Sequence, residues 1–73
     1  MKLAKELFAE LGYEYNKYDY VIEYFARNDV WYCYVTFDLI NEAYSVNENG
    51  DFGYVDAKLH RCITKQMEEL GWL

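Results

Sequence analysis

No proline occurs anywhere in the chain, and only four glycines, two cysteines and one histidine do. Each scarcity excludes something. Without proline or a low-complexity stretch no linker can be read, and 73 residues are expected to form one domain, 1–73. The glycines are scattered at 12, 50, 53 and 71, so no phosphate-binding loop exists. Cys33 and Cys62 are too few for a disulfide framework and form no C-x-x-C pair. With His60 as the lone histidine, a four-ligand structural zinc site cannot be assembled. Both cysteines read instead as small core hydrophobes. His60 and Cys62 stand two apart on a predicted helix and point to different faces, and no third group orients them. Thirteen acids supply carboxylate pairs by number alone, and none comes with the pocket that a raised pKa needs. The reading is therefore a protein that is not an enzyme and uses no cofactor or metal.

Long apolar runs are also missing. Nothing approaches the roughly 18 residues needed to span a bilayer. The N-terminus meets Glu6 before any apolar stretch develops, so no signal peptide can be read and a cytosolic protein is expected.

Large apolar side chains, in contrast, are plentiful. Hydrophobic residues make up 53% of the chain and aromatic residues 21%, nine of them tyrosine. A domain of this size buries only about 60% of its unfolded surface. Aromatic rings hide more area per residue than aliphatic chains and suit so thin a core.

The spacing predicts a helix over residues 3–11, with Leu3, Ala4, Leu7, Phe8 and Leu11 on one face. Gly12 ends it, and Tyr13 follows where a capping hydrophobe packs back. A second helix is predicted over 56–70, with Asp56 as N-cap and Leu59, Cys62, Ile63, Met67 and Leu70 as its stripe, Gln66 among them. Its Leu70-Gly71-Trp72 ending repeats the Leu11-Gly12-Tyr13 stop signal. Between the helices the period changes to two. Strands are expected over 18–27, 30–37 and 43–48, with a short fourth over 51–55. Asn28-Asp29 suits a two-residue turn because both residue types tolerate positive φ, and Asn49-Gly50 is a strong hairpin signal. Asn47, Asn49 and Asp51 briefly resemble a calcium loop, but Phe52 stands where its glycine is due and Lys58 where its glutamate is due, so a hairpin turn is the better reading. The fold class is α+β: helix, antiparallel meander of three to four strands, helix, with both helices on one face of the sheet. Trp31, Cys33, Val35 and Phe37 are assigned inward, leaving the Tyr32 and Tyr34 face open.

Charge of one sign is confined to the middle of the chain. Residues 28–57 contain six acids and no lysine or arginine, while the rest holds seven of each sign, so the net charge of −6 belongs to that segment. The plain reading is a solvated set of turns. The sharper one is an interaction surface built from Asp29, Tyr32, Tyr34, Asp38, Glu42, Tyr44, Glu48 and Asp51. Acidic charge attracts a basic partner, and tyrosines supply contact area. The partner expected is a basic protein surface of a nucleic-acid-binding complex, which this chain would occupy by resembling nucleic acid. Direct nucleic-acid binding is disfavoured, because seven bases stand against thirteen acids and the phosphate backbone demands positive charge.

The run Ile63-Thr64-Lys65-Gln66-Met67-Glu68-Glu69-Leu70-Gly71-Trp72 resembles the ending of small accessory proteins encoded by phages and prophages of Gram-positive bacteria. The resemblance implies no chemistry. It implies a setting in a bacterial host, where short phage proteins block host machinery, including defence nucleases, in the manner of anti-CRISPR proteins. The alternative is a structural or assembly protein of a phage particle, or a homodimer through the open tyrosine face or a sheet edge.

Overall fold

A computed structural model of the chain describes residues 2–73. It contains helix α1 (Ala4–Glu10), strands β1 (Glu14–Lys17), β2 (Val21–Arg27), β3 (Tyr32–Asp38), β4 (Ala43–Glu48) and β5 (Asp51–Phe52), and helix α2 (Ala57–Glu69). The strands form one antiparallel sheet in the order β1-β2-β3-β4-β5. The fold is α+β, and both helices lie on one face of the meander.

The covered face follows from register. Ile22 pairs with Phe37, Tyr24 with Val35 and Ala26 with Cys33, and all six are buried. Phe8 of α1 and Leu59, Cys62 and Ile63 of α2 close the same core. Phe8 stacks on Tyr24 with ring centroids 3.7 Å apart, and Phe37 meets both rings edge-on. Stacked and edge-on pairs each add about 0.5–1.5 kcal/mol beyond area burial. Gln66, the polar member of the α2 stripe, is buried because Tyr24 donates its hydroxyl proton to Gln66 Oε1 at 2.5 Å. A polar side chain is tolerated there only because its acceptor is satisfied.

Both helices end as their sequences predict. Tyr13 N–H reaches Phe8 O and Trp72 N–H reaches Met67 O, with Gly12 at φ 91° and Gly71 at φ 78°. These are six-to-one Schellman closures, which require the left-handed residue. The ring of Tyr13 packs on Phe8 and that of Trp72 on Phe37. Asp56 accepts from Leu59 N–H at 2.8 Å as the N-cap of α2. The start of α1 is held from a distance: Glu69, in the last turn of α2, accepts from Ala4 N–H at 2.7 Å.

Four expectations need correction. Residues 14–17 form a strand, β1, that alternation had not marked, since Glu14, Asn16 and Lys17 are all exposed on a sheet edge. Tyr18 and Tyr20 belong to the β1–β2 turn and not to the strand. The β2–β3 turn is set by Asn28 N–H to Trp31 O, with Asp29-Val30 at its tip, and neither Asn28 nor Asp29 takes positive φ. Asn28 contributes differently, accepting Val30 N–H on its side chain at 2.9 Å. Asn49-Gly50, at φ 51° and 83°, does make the expected left-handed hairpin turn. The fourth expected strand is only the two-residue β5, because the chain must leave the edge to enter α2. Among the described residues, no helix is long and apolar enough to cross a membrane.

Candidate functional site

Strand pleating separates the aromatic and acidic residues of the sheet onto two faces and two ends. Tyr32 pairs with Arg27 and Tyr34 with Phe25 and Asn47, so these residues share the face that carries no helix. Phe25 lies 4.6 Å from Tyr34, and Tyr34 lies 5.8 Å from Tyr32, centroid to centroid. The row Phe25–Tyr34–Tyr32 thus crosses two strands on the uncovered face. Glu23, Thr36 and Asp38 share that face by parity, and Phe52, opposite Asn47, extends it to the β5 edge with 93% of its surface exposed. Phe25 was legible in the sequence, standing in phase with Val21 and Glu23 and out of phase with the inward Ile22 and Tyr24.

Tyr44 and Glu48 lie on the opposite face. Tyr44 pairs with Phe37 and packs on it at 6.0 Å, and Glu48 pairs with the inward Cys33. The remaining acids occupy turns. Asp29 and Asp51 sit at the end that carries the β2–β3 and β4–β5 turns, and Asp38 and Glu42 at the other. Asp38 is engaged locally: its Oδ1 accepts Ile40 N–H and Asn41 N–H at 3.0 Å, and its Oδ2 accepts the Asn41 side chain at 2.8 Å. Those bonds, the side-chain one foremost, hold its carboxyl below the usual range.

The structure sharpens where the charge resides. The helical parts, 2–13 and 56–73, carry five acids and five bases, whereas residues 14–55 carry eight acids against Lys17 and Arg27 alone. The sheet layer therefore holds the net −6, and the helical layer is neutral.

A second feature lies where the sheet meets α2. Trp31 and Glu48 point to the covered side near the end of the sheet, and Trp31 Nε1–H donates to Glu48 Oε2. The other carboxylate oxygen accepts Tyr54 N–H at 3.2 Å. Gly53 makes this crossing possible: a Cβ there would stand 2.5 Å from Val46 Cγ1 and 3.3 Å from Glu48 Cβ. Glycine alone lets the chain lie this close to β4. A cleft of about 340 Å³ results, with Tyr13, Trp31 and Tyr54 as aromatic walls and Glu48, Asp56 and Lys58 as its charged groups. Burial first, and then the neighbouring Cys33 thiol, raises the pKa of Tyr13. Burial likewise pushes the Cys33 and Cys62 thiols up, which keeps them protonated. Tyr13, Trp31 and Tyr54 were not singled out as site residues from sequence, because the cleft joins residues from five parts of the chain. Among the described residues, no three His, Cys, Asp or Glu side chains stand together as a metal-binding group.

Comparison with protein-family models, with curated proteins and with solved structures finds no match for the chain.

Proposed function

We propose that this chain is a protein-binding module whose sheet layer presents an acidic, aromatic surface to a basic partner, in the place that nucleic acid would take. The observation that carries the proposal is the segregation of charge: the whole net −6 lies in the layer whose outer face is an uncovered aromatic row, and the helical layer behind it is neutral. Like-signed charge over one surface accelerates encounter with a basic patch. Exposed tyrosines then supply contact area at low entropic cost. A basic protein surface of that kind is typically one that holds phosphate backbone. The likeness of the C-terminal ending to phage accessory proteins supplies the setting, a nucleic-acid-handling or defence complex of a bacterial host.

The test is capture at low salt followed by displacement. Immobilised chain is expected to retain a basic nucleic-acid-binding complex from a bacterial lysate and to release it to duplex DNA. Asp29→Lys with Glu42→Lys, both exposed positions, should weaken retention about tenfold or more, and the difference should shrink as salt rises. Retention unchanged by the two reversals, or no retention at low salt, would sink the proposal. Glu48 is unsuited to this test, because its carboxylate holds Trp31 and the Tyr54 backbone.

A further inference from the structure

The exposure of Tyr54 has no explanation within the monomer. Its backbone is fixed by the Glu48 carboxylate and by the preceding Gly53, whose N–H donates to Val46 O at 3.0 Å, yet 92% of the residue's surface faces water. A side chain held on an anchored backbone and left bare is pre-organised for an intermolecular contact, since little loop ordering remains to oppose binding. Tyr54 and the half-buried Trp31 both line the cleft. Two carboxylates, Glu48 and Asp56, open into the same space, and Lys58 at the rim leaves the cleft net negative.

We propose that this cleft receives an arginine side chain of the basic partner, the guanidinium lying against the Trp31 and Tyr54 rings and donating to Glu48 and Asp56. The inference rests on the function proposed above and names the chemistry of its anchor. Charge complementarity selects a cation, and aromatic walls favour one whose face can stack. The carboxylates choose among cations. Each Glu48 oxygen already accepts one hydrogen bond, and Asp56 Oδ1 accepts Leu59 N–H. A carboxylate offers about four acceptor sites in all, so lone pairs remain. A quaternary ammonium has no N–H to give them. A lysine ammonium is strongly hydrated and has no planar face. A guanidinium satisfies both requirements, stacking with its plane and donating with its edge. A volume of about 340 Å³ accommodates the guanidinium and the adjoining methylenes of one such side chain.

The experiment follows the two indole N–H resonances of the isotopically labelled chain as tri-arginine or tri-lysine amide is added at low salt. Trp31 reports on the cleft, and Trp72, packed on Phe37, serves as internal control. The expected result is a saturable shift of Trp31 alone with tri-arginine and an apparent affinity at least fivefold weaker for tri-lysine. Tyr54→Ala should weaken tri-arginine binding at least fivefold; the ring is bare, so folding is spared, and an unmoved Trp72 resonance checks this. No saturable Trp31 shift, equal affinity for the two peptides, or full affinity in Tyr54→Ala would each overturn the inference. If tri-arginine binds by calorimetry and is lost on Asp29→Lys with Glu42→Lys but leaves Trp31 unmoved, the cleft assignment falls and the surface proposal stands. If neither the peptides nor a basic complex binds, both fall.

Discussion

At the scale of single residues, Tyr24 ties core packing to pH. Its ring is stacked under Phe8, its hydroxyl is held by Gln66, and burial raises its pKa well above the ordinary tyrosine value. A folded-state pKa above the unfolded one means that the contribution is complete below the unfolded value of about 10 and is lost as pH rises through and beyond it. Urea denaturation followed from pH 7 to 11 should therefore show a plateau to about pH 9 and a decline above 10. Tyr24→Phe keeps the ring but strands the Gln66 acceptor, so it should cost about 1–2 kcal/mol at pH 7. It should also flatten the decline seen above pH 10. Parallel curves for the two proteins would show that Tyr24 is not the group responsible.

At the scale of elements, the two helices depend on one another. α1 has only seven residues, too few to be stable alone, and its N-cap position is Leu3, which has no polar side chain to cap it. Its first-turn N–H at Ala4, a fully buried residue, is satisfied by Glu69 from the far end of the chain. Glu69→Ala should destabilise the fold by about 1–2 kcal/mol, because the donor it leaves has little access to water. The neighbouring exposed Glu68→Ala should stay within about 0.5 kcal/mol. Equal midpoints for the two variants in urea would refute the capping role. The stop signals of both helices were legible because a left-handed glycine followed by a hydrophobe is a local device. The Glu69 cap was not, because 65 residues separate the partners.

For the whole molecule, the partition of charge bears on assembly. The alternative reading, a homodimer through the open face or a sheet edge, draws support from β1, whose outer edge has no strand beside it. That edge is short and carries the charged Glu14 and Lys17, features that discourage edge pairing. Apposed uncovered faces would bring together two layers that each hold net −6. A monomer is the expected mass by light scattering at low salt. A stable dimer there would favour the assembly reading over the partner-binding one.

What the sequence determined by itself is what short-range physics controls. Periodicity marked both helices, phase put Cys33, Val35 and Phe37 inward and Tyr32 and Tyr34 outward, and Asn49-Gly50 marked its turn. Residues 28–57 carried the charge asymmetry visibly. The tertiary structure decided which members of that segment are neighbours. β1 escaped notice because an edge strand exposed on most sides shows no alternation. Tyr44 and Glu48, close to Tyr34 in sequence and in pairing, went to the other face because β4 sets them opposite Phe37 and Cys33. The cleft between Tyr13, Trp31, Tyr54 and Asp56 arises only when the β4–β5 hairpin, Gly53 and the start of α2 converge. Its members are brought together by chain crossings, which leave no period in the sequence to read.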